Sequence, residues 1–252
     1  MENYKDPISL FKQTNFSKTI WWKLKVNISG YQNETENKLV TEIFKNRIFK
    51  LLYPNIHQHK RQVSRILVQL YEDGYICWIN LDGLIIEKCE LRKTKSFKSE
   101  QSFIKQKVPS ILKWIKDQAD LNNVYLWGGT LGPNFDCSGL IQTAFFKHNI
   151  YLPRDSYQIK SFCKHLFYFK ESYGVLHPGD LLFFGDKEKC DHIGIYKENG
   201  LYYHCSGMEF GRNGIELDSL NESNDKISLH YKSKLISAGR VVRSYRWDRT
   251  IR

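Results

Sequence analysis

From Trp21 to Leu84 the chain runs in short apolar bursts separated by turn residues: Trp22–Ile28, Leu39–Phe44, Ile48–Leu52, Ile66–Tyr71 and Tyr75–Ile79. Runs of this kind, rich in β-branched and aromatic side chains and spaced by roughly 8–12 residues, predict the strands of a small antiparallel barrel or sandwich. Asp73-Gly74 joins the last two as a hairpin turn, since glycine accepts the backbone angles such turns need. The period then changes. Ile104, Val108, Ile111, Leu112 and Ile115 recur at helical offsets, and Pro109, which lacks a backbone donor, is expected to split this region into two helices. A domain boundary is expected at the Lys/Ser-rich stretch 92–100 between the two patterns.

The second half reads as helix, then strand. Between Cys137 and His148 the apolar positions 137, 140, 141, 144 and 145 share one helical face. Asp155, after Pro153, is placed to cap a second helix running through Leu166. Leu181–Phe184, Ile193–Tyr196 and Leu201–Cys205 are β-rich, Asn199-Gly200 is a hairpin turn between the last two, and Gly239–Tyr245 offers one more strand. The expected class is α+β. The expected division is an N-terminal extension over 1–20, a small β-domain over 21–95 and a helix-plus-sheet domain over 96–252.

The 252 residues are 41% hydrophobic, which excludes a mostly disordered chain, and no run approaches the length of a membrane span. The net charge of +11 raises the question of nucleic acid. Its distribution argues against that partner: residues 151–200 carry 7 basic and 7 acidic side chains, and the excess sits in residues 1–100 (17 against 11) and in Lys226–Arg252 (8 against 1). A solvated basic face accounts for it without any nucleic-acid motif. The six cysteines show neither a CxxC pair nor Cys/His zinc spacing, so they read as free thiols and no metal is expected. The start Met1-Glu-Asn-Tyr-Lys-Asp-Pro lacks the basic and apolar regions of a secretory signal, which points to the cytoplasm, with the periplasm by another route as the alternative.

The candidate chemistry centres on Tyr125-Leu-Trp-Gly-Gly-Thr-Leu-Gly-Pro-Asn-Phe-Asp-Cys137-Ser-Gly-Leu. It places a cysteine in the first turn of a helix, directly after a glycine-rich loop. The helix dipole there can lower a thiol pKa into the range of about 3.5–7.5, so a thiolate at neutral pH is expected. Unpaired N–H groups of the same turn could hold an oxyanion. His192 opens one predicted strand and His204 ends the next. In a hairpin centred on Asn199-Gly200, positions 196 and 203 would be neighbours and the two histidines would approach at the open end. A nucleophile, a base and a third group that fixes the base's tautomer are the parts of a thiol hydrolase.

The chain resembles the NlpC/P60 cysteine peptidases through five blocks in order: Tyr125-Leu-Trp-Gly-Gly, Phe135-Asp-Cys-Ser-Gly-Leu, Leu152-Pro-Arg-Asp-Ser156, His177-Pro-Gly-Asp-Leu-Leu-Phe-Phe184 and His192-Ile-Gly-Ile-Tyr. Within that family it is most similar to the two-domain γ-D-glutamyl-L-diamino acid endopeptidases of the cyanobacterial type, which implies a papain-like catalytic domain preceded by a bacterial SH3-like barrel. The resemblance implies Cys137 as nucleophile, His192 as general base, His204 as orienting residue and Tyr125 as an oxyanion-hole hydroxyl. It implies Asp136, with Glu72 and Tyr75 of the first domain, as partners of the free amine of a terminal L-alanine, although Ile76-Cys77 stand where the family usually has Pro-Gly. Ser138, Arg154, Asp155 and Ser156 are implied at the groove, toward the diamino-acid end.

The implied reaction is hydrolysis of the bond between γ-D-Glu and diaminopimelate or lysine in murein tripeptides or tetrapeptides, in recycling or wall turnover. No cofactor is implied, and a monomer is expected. Other readings remain: a cysteine amidase acting on different amides or thioesters, a peptidoglycan-stem-binding protein with weak activity, or a binder of anionic polymers.

Overall fold

The computed structural model describes residues 6–52, 64–90, 100–166, 174–186, 189–221 and 225–247. The chain forms two compact units, Met1–Lys95 with Arg246–Arg252, and Ser96–Tyr245. The expected boundary stretch falls almost wholly on 91–99, outside the described residues.

In the first unit a short helix, α1 (Pro7–Gln13), precedes seven strands: β1 (Trp21–Leu24), β2 (Ile28–Tyr31), β3 (Leu39–Ile43), β4 (Ile48–Leu51), β5 (Arg65–Leu70), β6 (Ile76–Asn80) and β7 (Ile86–Cys89). They form one antiparallel sheet in the order β3-β2-β6-β5-β4-β1-β7. Alternate residues of β1 and β4 are buried, as the two-residue period of a one-sided strand requires. The run expected as a single strand over Trp22–Ile28 divides into β1, which ends at Leu24, and β2, which begins at Ile28. The N-terminal extension belongs to this core. Asp6 caps α1, and Phe11, fully buried, meets Trp22 edge-on at 5.2 Å.

A buried ion cluster braces the Tyr71–Tyr75 turn. Arg47, 4% exposed, bonds Glu72 at 3.1 Å and Asp73 at 2.8 Å, and the Ile48 N–H donates to the same Glu72 carboxylate. Trp247, far downstream in sequence, seals this turn: its indole N–H donates to the Tyr71 carbonyl at 2.6 Å, and its ring lies 6.4 Å from Trp21. Lys50 sits 5.3 Å from both indole centroids.

The second unit opens with α2 (Gln101–Ala119), α3 (Cys137–Phe146) and α4 (Ser156–Phe162). It continues with β8 (Lys164–Leu166), β9 (Leu181–Asp186), β10 (Lys189–Glu198), β11 (Leu201–Ser206), β12 (Gly214–Ser219), α5 (Lys226–Lys234) and β13 (Leu235–Arg240). The sheet runs β12-β11-β10-β9-β13-β8, antiparallel throughout. The first four residues of β9 are buried on both faces, as befits an interior strand covered on each side. Leu181 and Phe183 join the core under α2, α3 and α4, while Leu182 and Phe184 join a second cluster with Tyr231 of α5.

Three expectations are corrected here. Pro109 does not divide α2, because Ile104 before it and Ile111 and Ile115 after it are all anchored in one core. The helix begun at Asp155 stops at Phe162, since Lys164–Leu166 instead pairs with Ala238–Arg240 as an edge strand. The last strand is Leu235–Arg240 rather than Gly239–Tyr245, drawn upstream by its pairing with Leu181–Phe184. Helices α1 and α5 and strands β7 and β12 were not anticipated.

Replacing Trp247 by alanine should destabilise the first unit by about 1–3 kcal/mol, through lost aromatic burial and one indole hydrogen bond. Denaturant titration followed by fluorescence of the remaining tryptophans checks this; an unchanged midpoint would remove Trp247 from the account of that unit's stability.

Candidate active site

The loop before α3 is closed on itself. Tyr125 bridges Phe135, and Leu126 N–H donates to the Phe135 carbonyl at 2.9 Å. Asp136 ends the loop and caps α3, accepting from Gly139 N–H at 2.6 Å and from Gly128 N–H at 2.8 Å. Gly139 is required by contact: a β-carbon there would lie 2.0 Å from the Gly129 carbonyl oxygen. Cys137 therefore stands where the pattern placed it, at the first turn of α3, 7% exposed.

Asp136 carries more than a cap. Arg154, 2% exposed, reaches its two oxygens at 3.1 and 2.5 Å and also donates to Ser138 Oγ at 2.8 Å, and Ser138 donates onward to Asp136 at 3.1 Å. Three of the predicted substrate contacts thus form one internal network in which Arg154 holds Asp136. Asp155 forms a capping box with Gln158 at the start of α4, and the Ser156 hydroxyl donates to the Cys190 carbonyl at 3.4 Å. Glu72 and Tyr75 lie in the first unit, where Glu72 is paired with Arg47.

The histidines meet. His192 Nε2 lies 2.8 Å from His204 Nδ1, and His204 Nε2 lies 2.9 Å from Asp218 Oδ2. The register that achieves this differs from the expected one: Tyr196 pairs with Tyr202 and Gly194 with His204, because a bulge between Tyr196 and Glu198 shifts the ladder by one. Side chains alternate across a strand, so the shift puts His192, two residues from Gly194, on the same face as His204. In the unbulged hairpin His204 would have faced Ile195, and the two rings would have pointed to opposite sides of the sheet. Gly194 lies between them on that face and leaves the space open; a β-carbon there would stand 2.9 Å from Tyr202 Cδ2 and 3.0 Å from the Tyr203 carbonyl oxygen.

Further residues complete the cluster. The Tyr231 ring on α5 lies 4.7 Å from the His192 ring and 4.6 Å from the His204 ring. Arg212 holds Asp218 at 2.5 Å and continues to Asp225, the cap of α5, at 2.5 Å. Sequence reasoning missed all four of these residues. The alternation Ile215-Glu-Leu-Asp218 is a strand signal that could have exposed Asp218; nothing in the local pattern marks Tyr231.

The electrostatics correct one expectation. Burial, followed by the neighbouring Asp136 carboxylate, pushes the Cys137 thiol up to about 12, outweighing hydrogen bonds from the Ser138 and Ile193 backbone. Burial above all holds His192 well below the ordinary histidine value. The Cys137 thiol and the His192 imidazole are therefore both neutral at rest, in place of the thiolate expected from the helix dipole alone. Burial likewise raises the Tyr125 hydroxyl pKa, with Cys137 the next contribution, so this hydroxyl remains a proton donor. Helix α3 packs on β10, and the Ile193 N–H that faces the thiol adjoins His192 in the chain. Among the described residues no group of His, Cys, Asp or Glu could hold a metal ion, and no helix is long and apolar enough to cross a membrane.

Residues 122–232, which include Tyr125, Cys137, His192, His204 and Asp218, match the NlpC/P60 family model. The chain is similar to the probable endopeptidase p60 of Listeria innocua, 33% identical over 104 residues that cover 41% of this chain and 20% of that protein. It is similar also to the bifunctional muramidase/DL-endopeptidase CwlT of Bacillus subtilis, 32% identical over 121 residues, 46% of this chain and 32% of that one. An NlpC/P60 family protein from Bacillus cereus superposes with a TM-score of 0.45 at 20% identity, covering 92% of this chain and 66% of the other. The match thus spans about a fifth to a third of these two curated relatives.

Two outcomes follow from this geometry. Alkylation of Cys137 by iodoacetamide, read on its own peptide by mass spectrometry, should climb steadily between about pH 7 and 10, because only the thiolate reacts; a plateau below neutrality would restore the thiolate. Gly194→Ala should cost about 1–3 kcal/mol through overpacking, and an unaltered denaturation midpoint would show that the space is not needed.

Proposed function

We propose that the NlpC/P60 domain formed by residues 122–232 makes this chain a cysteine endopeptidase that cuts murein peptides between γ-D-glutamate and the following diamino acid. The observation that carries the reading is the 2.8 Å contact between His204 on β11 and His192 on β10, the strand whose Ile193 N–H faces the Cys137 thiol. A cysteine, a histidine and a further group that orients the histidine are what acyl transfer to water requires. The names of the two curated relatives, an endopeptidase and a DL-endopeptidase, agree with cleavage after a D-residue.

Starting from a neutral pair, the Cys137 thiol gives its proton to His192 as its sulfur attacks the carbonyl carbon of the γ-D-Glu amide. Backbone N–H groups at the start of α3 and the Tyr125 hydroxyl are assigned to the oxyanion. His192 then hands the proton to the departing amine, and water, deprotonated by the same imidazole, hydrolyses the thioester. The buried, water-poor setting disfavours charge at rest and leaves proton transfer to the moment of attack.

The first unit, on this reading, is the SH3-like module, and Glu72, Tyr75 and Asp136 receive the free ammonium of L-Ala. Support comes from the resemblance of Tyr71-Glu-Asp-Gly-Tyr75 to the segment that closes one end of the groove in the two-domain γ-D-glutamyl-L-diamino acid endopeptidases. Arg154, Asp155, Ser156 and Ser138 are assigned to the substrate groove, largely through holding Asp136 and the start of α4. A requirement for a free amine fits peptides already released from the glycan, hence recycling.

Purified protein should cleave L-Ala-γ-D-Glu-diaminopimelate to L-Ala-D-Glu and the diamino acid. Cys137→Ala and His192→Ala should each lower kcat by about 10⁴–10⁶ with the fold retained; near-normal turnover in either would overturn the mechanism. An N-acetylated tripeptide should react about 10²-fold more slowly, the scale expected when one partner of a buried charge contact is removed. Equal rates would remove the amine-binding role.

A further inference from the structure

The site contains a buried carboxylate that the mechanism above does not use. Asp218, 3% exposed, lies on β12, where it pairs with Tyr202 and so shares a face with His204. One of its oxygens meets His204 Nε2 at 2.9 Å and Arg212 Nε at 3.3 Å, and Arg212 bonds the other oxygen at 2.5 Å. His204 is fully buried, so no solvent can supply either ring nitrogen with an alternative partner. Arg212 is tied in turn to Asp225, which caps α5 by accepting from Ser228 N–H at 2.9 Å, and α5 returns Tyr231 to the faces of both imidazoles. The circuit closes on the histidines from which it started.

We propose that Asp218 is a positioning residue that sets the proton pattern of both histidines and thereby selects Nδ1 of His192 as the catalytic base. The proposal rests on the assignment of Cys137, His192 and His204 given above. A carboxylate can only accept, so His204 must carry its proton on Nε2. With that ring neutral, its Nδ1 is an acceptor, and the 2.8 Å contact then requires a proton on His192 Nε2. In a neutral His192 the remaining nitrogen, Nδ1, is left with a lone pair for the Cys137 proton. When that proton arrives, His192 becomes an imidazolium still donating through Nε2, and the carboxylate one ring away stabilises the new charge. The same proton leaves from Nδ1 to the departing amine, so Asp218 gains and loses none. Arg212 and His204 keep Asp218 ionised: burial opposes this, but the hydrogen bonds from both and the charge of Arg212 lower its pKa.

An amide in place of the carboxylate reverses the pattern. In Asp218→Asn the single oxygen takes the position of the shorter Arg212 contact, 2.5 Å against 3.3 Å, and the amide NH2 takes the other and faces His204 Nε2. His204 must then accept there and carry its proton on Nδ1. His192 accepts at Nε2, carries its proton on Nδ1 and has no lone pair to offer the thiol. An equivalent carboxylate-to-amide change in a serine protease triad lowers kcat by about 10⁴ for this reason.

The test is long-range proton–nitrogen NMR on histidine-labelled protein without substrate, under conditions that keep both rings neutral. Wild-type protein should show Nε2–H on both His204 and His192, and Asp218→Asn should show Nδ1–H on both. Turnover of the tripeptide by Asp218→Asn should fall about 10³–10⁴-fold in kcat with KM within about threefold. Nδ1–H on His204 in wild-type protein, which needs no variant, overturns the proposal, as does an unchanged pattern in Asp218→Asn. A second variant, Arg212→Gln, retains the carboxylate and should keep the wild-type pattern; reversal there would assign the control to Arg212. Because the nitrogen signals are read without turnover, they decide the tautomer question separately from Cys137→Ala, whose failure would fall on the peptidase reading alone.

Discussion

Strand β10 holds one more residue than β11 between the Asn199-Gly200 turn and the Gly194–His204 pair, and the parity of the sheet depends on it. Side chains alternate, so one inserted residue moves everything upstream to the other face. With the bulge, His192 and Gly194 share a face with His204 of β11 and, one strand further, with Asp218 of β12. Gly194 contributes only the absence of a side chain, which lets the two rings meet diagonally across it. Tyr231 then covers both rings from α5. The histidine geometry is therefore a property of strand register before it is a property of any side chain.

Buried charge is organised around this register in closed sets. Asp136 with Arg154, and Asp218 with Arg212, each pair a carboxylate with a guanidinium whose fork geometry satisfies two oxygens at once. Ion pairs of this kind contribute modestly to stability after desolvation, and their larger effect is to fix where neighbouring groups can stand. Asp136 fixes the Gly128 turn against the start of α3; Asp218 fixes an imidazole. Cys137 and His192, outside both sets, are neutral at rest.

Much of this was legible in the sequence. Cys137 at a helix start and the Asn199-Gly200 turn followed from local patterns, because turn chemistry and capping are local. The register was not, since a bulge at Lys197 leaves no signature in a run of β-rich residues. The state of the thiol was also misjudged: the helix dipole is visible in sequence, whereas burial at the packed end of α3 is a tertiary quantity and the larger effect. Pro109 suggested a break that a shared core overrides. Asp218 and Tyr231 went unread because β12 and α5 are short elements in a polar stretch, recognisable only once β11 and the histidines give them a surface to meet. How Glu72 and Tyr75 relate to Cys137 rests on resemblance, for which local patterns supply no geometry.

Trp247 carries a consequence for biosynthesis. The sheet it seals contains the earliest strands of the chain, yet its indole arrives after all of Ser96–Tyr245 has been made. During translation the Trp21–Tyr71 surface must wait, uncovered, while the whole intervening unit emerges and folds. The first unit is thus begun before the second and finished after it, and a chain that stops short of Trp247 has its later unit complete and its earlier one not.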